Sequence, residues 1–150
     1  MRLRTKPNRH AAISMLVVGV YLQFVEWIDM FPWNDIRSGN GQETLDLILA
    51  GVTFLFVISL WFGGKWAAAL SSIGMLVWIY LQISTWWIPY FFGASEGWKR
   101  VYANWFSETV HILPSTADNL PPDANHLLLH ILILVALVVS MRALLLEYNS

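Results

Sequence analysis

The sequence predicts an all-α integral membrane protein: a four-transmembrane-helix bundle with an amphipathic surface helix between spans three and four. Three observations carry this reading. The chain is 57% hydrophobic and 13% charged over 150 residues, with a mean hydropathy of +0.53, which is too apolar for a soluble domain of this size. Four stretches of about 20 residues are nearly free of charge, the length a helix needs to cross a bilayer. Trp27, Trp33, Trp86, Trp87, Trp98 and Trp105 fall where such spans should leave the hydrocarbon, as an interfacial aromatic belt does.

Span one is expected over 11–31, following the basic cluster Arg2, Arg4, Lys6 and Arg9. The small-x-small cleavage signature of a signal peptide is missing before Glu26, so the segment reads as a retained span. Pro32, Asn34 and Ser38-Gly39-Asn40-Gly41 then predict a loop, and span two is expected over 45–64 with Asp46 as its one charge. Gly63-Gly64-Lys65 predicts a tight reversal into span three, 66–92, where Pro89 and Gly93 mark the exit. Pro121-Pro122-Asp123 introduces span four, 124–146, with Asp123 as its N-cap.

Between spans three and four, Trp98, Val101, Tyr102, Trp105, Thr109, Ile112 and Leu113 recur at helical spacing. Lys99, Arg100, Asn104, Glu108 and His111 lie largely opposite them, so a surface helix is expected over about 97–113. With no internal repeat, residues 1–150 form one membrane domain.

Basic residues orient the bundle. Arg2, Arg4, Lys6, Arg9, Lys65 and Arg142 fall on one side and Arg37, Lys99 and Arg100 on the other, which places both termini in the cytoplasm of a plasma or inner membrane. All acidic residues except Glu147 then lie toward the outer face. The absence of cysteine excludes disulfides, thiolate catalysis and Cys-ligated metals, and a net charge of -1 argues against nucleic acid as a partner.

This topology sets several polar groups at one depth in the outer leaflet. Gln23, Glu26 and Asp29 share one face of span one, Glu43 and Asp46 begin span two, and Gln82 and Thr85 lie in the outer third of span three. His126 and His130, four apart on span four, share another face. A charge in hydrocarbon is costly, so such groups turn inward, and an intramembrane carboxylate is a functional candidate. Glu26, Asp29, Glu43, Gln82 and His111 are therefore candidates for a ligand or proton site. His126 and His130 are candidate metal ligands, which would imply a divalent metal ion as cofactor. Glu43, three residues after Asn40, equally fits a helix-capping role. Ala67, Ser71 and Gly74 form a small-residue stripe on which a neighbouring helix, a second copy or a larger membrane partner can pack.

The stretch Trp87-Ile88-Pro89-Tyr90-Phe91-Phe92-Gly93-Ala94, with Gly97-Trp98, resembles a Trp-Pro-rich segment of the tryptophan-rich sensory (translocator) proteins. That family has five spans where four are readable here, and no family is assigned. The expected function is ligand binding or transport at a polar carboxylate/histidine cavity in the outer leaflet. A membrane-embedded metal-dependent enzyme and a non-catalytic accessory subunit are the alternatives.

Overall fold

The computed structural model describes residues 6–36 and 43–149, with backbone alone for residues 6, 7 and 43–46. It is all-helical: α1 (Lys6–Trp27), α2 (Glu43–Phe62), α3 (Lys65–Gln82), a π-helical turn (Ile83–Trp87), α4 (Ile88–Phe92), α5 (Glu96–Trp105) and α6 (Ala124–Tyr148). Three helices are long and apolar enough to cross a membrane: Asn8–Trp27, the continuous α3–α4 rod Lys65–Phe92, and Ala124–Tyr148. The described apolar part of α2, Leu47–Phe62, is shorter, so three of the four expected spans are supported by length and composition. Large side chains along the rods stay exposed, as in Val20 at 59%, Phe54 at 59% and Leu70 at 62%, the pattern of helices solvated by lipid.

Helix α6 packs lengthwise against both α1 and α3, α1 also packs against α2, and α2 meets α3 less extensively. Met15, Val18, Leu60, Met75 and Ile133 fill the core between them. Small residues let the helices approach: a Cβ on Gly19 would lie 2.7 Å from Thr53 Cγ2, and one on Gly74 would lie 2.9 Å from Phe56 Cζ. The expected small-residue stripe is thus largely occupied inside the chain, with Ala67 and Ser71 buried and Gly74 against Phe56. At one end of the bundle, buried Asn8 donates through Nδ2 to Gly63 O and Glu147 Oε1, drawing together the start of α1, the α2–α3 turn and the end of α6. The opposite end, here the mouth, carries the connection from α4 to α6.

Three elements differ in extent from the sequence reading. Helix α1 ends at Trp27, short of Phe31, because buried Asn34 folds back on it. Asn34 Nδ2 donates to the carbonyls of Val25 and Ile28, and its Oδ1 accepts from Met30 N–H at 3.1 Å, so one side chain satisfies a bare carbonyl of the last helical turn and two backbone groups just beyond it. Asn34→Ala is expected to cost about 2–3 kcal/mol, since buried backbone groups lose their partner, and a chemical or thermal unfolding scan in nanodiscs checks it.

Helix α5 stops at Trp105 where 113 was expected. Ser107 N–H takes the Tyr102 carbonyl, Ser107 Oγ donates to Ala103 O, and Thr109 Oγ1 donates to Phe106 O. Short polar side chains thus compete for the carbonyls that would propagate the helix. The chain then runs without helix to Asp123, stitched to its surroundings by Val110 N–H to Pro32 O and Ala124 N–H to Val110 O. The exposed Lys99, Glu96 and Asp118 pairs and Ala94 N–H to Asp118 O fasten the outer part of this connection to α5 and the end of α4.

The third difference is the π turn. Pro89 has no N–H to give Thr85 O and its ring would crowd that carbonyl. The turn widens ahead of it, so that Ile88 N–H reaches Ile83 O, five residues back. Gly93, at φ 96, then ends α4 in a conformation a side chain would oppose.

Candidate functional site

The mouth is organised by Asp123. Asp123 has the extended backbone of an N-cap, at φ -70 and ψ 172, and its carboxylate caps α6. Oδ1 accepts from His126 N–H at 2.8 Å and from His126 Nδ1 at 2.7 Å, while Oδ2 accepts from Thr109 Oγ1 at 3.0 Å. Burial opposes ionisation of this 1%-exposed residue, but the hydrogen bonds and charge of His126, with Thr109, prevail and hold its carboxyl below the usual carboxylate range. His126 Nδ1–H donates to the Asp123 carboxylate, which in the neutral ring leaves the lone pair on Nε2.

An aromatic cluster lies against this pair. The extra residue of the π turn rephases the rod by about 100°, so that the adjoining Trp86 and Trp87 both approach histidines of α6. Trp86, 3% exposed, has its ring centroid 4.1 Å from that of His126. It meets Trp98 at 5.3 Å and Phe106 at 4.9 Å, both edge to face. The Tyr102 hydroxyl donates to Pro121 O at 2.9 Å and therefore accepts from His111 Nε2 at 2.6 Å. Burial first, and the charge of Asp123 second, push the Tyr102 phenol up. On the other flank Tyr21 OH donates to Asn125 Oδ1 at 2.6 Å and accepts from Trp33 Nε1 at 3.2 Å.

Between these walls is a cavity of about 470 Å³, within the range of small-molecule pockets. Glu26 reaches it from α1, Asp35 from the segment that follows, Trp86 from the π turn, Trp98 and Trp105 from α5, and His126 from α6. An aromatic cavity lined by carboxylates and an oriented imidazole can hold a cationic or proton-donating group.

The candidates from sequence distribute unevenly around it. Glu26 and His126 share the cavity. His130, a turn further along α6 and 7% exposed, is turned to Gln82, with Nε2 3.0 Å from Oε1, a cross-helix polar pair rather than a third member of the cavity. His111 is taken by Tyr102, and Asp29 is exposed outside the lining. Glu43 opens α2, but its side chain lies outside the described residues. Among the described residues no three His, Asp or Glu groups converge as metal ligands, and His126 and His130 face different partners.

Sequence reasoning did not foresee the roles of Thr109, Trp86 and Asp35. The Asp-x-x-His spacing of Asp123 and His126 is a readable signal for the pair, because a capping side chain and the residue three positions on meet in the first helical turn. No protein-family model, curated protein or solved structure matches this chain.

Proposed function

We propose that this chain is a small polytopic membrane protein that binds, and by alternating exposure of the mouth carries, an organic cation from the outer side of a plasma or inner membrane. In this reading α2 completes a four-span bundle, both termini are cytoplasmic, and the mouth opens outward. The observation that carries it is the shared cavity, in which the carboxylate-bearing Glu26 and Asp35 and the Asp123-oriented His126 surround an aromatic wall of Trp86, Trp98 and Trp105. Indole faces attract a cation, and nearby carboxylates add charge complementarity. His126 Nε2 supplies a proton acceptor beside the bound molecule, the element a proton-coupled cycle needs.

The Asp123–His126 pair also favours a second reading, an enzyme in which His126 acts as general base on a ligand held in the same cavity. Turnover of the bound molecule separates the two.

Tetraethylammonium is the direct probe. Because Trp27, Trp86, Trp98 and Trp105 line the cavity, its binding is expected to change the intrinsic fluorescence saturably in nanodiscs. Glu26→Gln should weaken it about tenfold and Asp118→Asn, in the exposed Lys99 network, should leave it unchanged. No saturable response, or equal weakening by both variants, would remove the reading.

A further inference from the structure

Asn125 and His126 are neighbours in the first turn of α6, and both line the mouth cavity. Each is oriented by hydrogen bonds behind it. Trp33 Nε1 can only donate, so the Tyr21 hydroxyl accepts from it at 3.2 Å and keeps its one proton for Asn125. That proton goes to Oδ1 at 2.6 Å, with the Asn125 backbone carbonyl a longer second acceptor at 3.3 Å. The amide is thereby turned so that its oxygen faces α1 and its Nδ2 is the group left over. Nδ2 has no hydrogen-bond partner among the described residues, on a side chain whose residue is 7% exposed.

His126 is set from the opposite side. Its Nδ1–H is held by Asp123, and Nε2, which carries the lone pair of the neutral ring, has no partner among the described residues. The mouth therefore presents one fixed donor and one fixed acceptor on consecutive residues. A buried amide N–H without an acceptor is costly, and a ligand oxygen that takes it recovers that cost. Because the amide and the imidazole are already held, little side-chain freedom is lost when a ligand arrives. Such groups also discriminate, since a molecule lacking the matching atom leaves a buried polar group unpaired. The indoles of the cavity wall add flat apolar surface beside the pair, and about 470 Å³ is ample for one substituted ring.

We propose that Asn125 and His126 form a hydrogen-bonding subsite for a small planar molecule that carries a carbonyl oxygen and a separate O–H, of the hydroxyaryl ketone class. The carbonyl accepts from Asn125 Nδ2, the O–H donates to His126 Nε2, and the ring lies against the aromatic wall. Tyr21 and Trp33 are positioning residues that act through the Asn125 amide. The subsite goes beyond the cation reading and uses neither Glu26 nor Asp35.

The test titrates the full chain in phosphatidylcholine nanodiscs by calorimetry, with the heat of empty nanodiscs subtracted. The probe is 4-hydroxyacetophenone, and two relatives each lack one of its groups: 4-ethylphenol has no carbonyl and 4-methylacetophenone no O–H. The probe should bind saturably, and each relative about tenfold more weakly, the factor for one hydrogen bond. Asn125→Leu should erase the gap between the probe and 4-ethylphenol while the gap to 4-methylacetophenone persists. Tyr21→Phe keeps the ring and frees the amide to turn, so it should narrow the 4-ethylphenol gap to about threefold. A variant that merely loosened the fold would weaken all three compounds together, and where Asn125→Leu fails to assemble, the Tyr21→Phe gap decides alone. No saturable binding of 4-hydroxyacetophenone, equal affinities for the three compounds, or a 4-ethylphenol gap untouched by the variants would overturn the subsite. Saturable tetraethylammonium binding beside any of those results leaves the cation reading in place, and its absence with the probe still bound removes that reading alone.

Discussion

Asp123→Ala is expected to destabilise the protein by about 3 kcal/mol and to abolish cation binding, a larger effect than any other single polar substitution at the mouth. The variant loses the cap of α6, typically worth about 1 kcal/mol. It also strands His126 Nδ1, a donor directed at this nearly inaccessible carboxylate, while Thr109 Oγ1, whose one proton Asp123 shares with Phe106 O, keeps the second acceptor. Both consequences follow from one side chain holding the start of α6, the end of the α5 turn and the cavity imidazole together. Asp123→Asn keeps an acceptor for the cap and should cost about 1 kcal/mol, while still weakening binding because the charge that steadies His126 is gone. The pH dependence has a definite sign. The folded-state pKa of Asp123 is depressed below its ordinary 3.8, so its stabilisation is complete above that value and is lost as pH falls through the lower folded-state value. Thermal unfolding in nanodiscs should show this acid limb in the parent and lack its Asp123 contribution in the alanine variant.

Trp86→Ala is expected to cost about 3–5 kcal/mol, the range for emptying a buried indole site. Its ring is packed edge to face against Trp98 and Phe106 and lies over His126, so its removal unsupports three neighbours at once. Trp86→Phe retains a ring and most of the apolar area and should cost less than half as much. Binding supplies a second readout: the phenylalanine variant should bind tetraethylammonium more weakly than the parent, since indole is the stronger cation partner, whereas the alanine variant should not bind it. Unfolding midpoints that differ little between the phenylalanine and alanine variants would show that Trp86 is not the centre of the cluster.

Helix identity was legible because it depends on long, one-dimensional signals. The charge-free run after Lys65, the Gly63-Gly64 reversal and the Pro-Pro-Asp start of α6 give helices at or within two residues of the expected bounds. Where helices end was less legible, since ends are decided by side chains arriving from elsewhere. Nothing near Trp27 announces that Asn34 will turn back onto Val25 and Ile28, and α5 yields at Ser107 and Thr109 to local bonds that an amphipathic pattern does not register.

The same distinction divides the site. Glu26 and His126, which rise per residue sets at similar height, both line one cavity. Azimuth decided the rest. Residues four apart on one helix share a broad face, yet His126 is directed to Asp123 and Trp86 while His130 meets Gln82. The π turn that brings Trp86 and Trp87 to those histidines alters the helical phase, and only Pro89 hints at it in the sequence.

The central claim is that the mouth is a water-accessible, outward-facing cavity that closes around a cation. Thr85→Cys tests it most directly, because Thr85 is an exposed lining residue and the protein has no other cysteine. In oriented membranes an impermeant thiol reagent should label this cysteine from the extracytoplasmic side, and saturating tetraethylammonium should slow labelling about tenfold, as occupancy of the cavity requires. Labelling from the cytoplasmic side alone, or at a rate indifferent to the cation, would contradict the account.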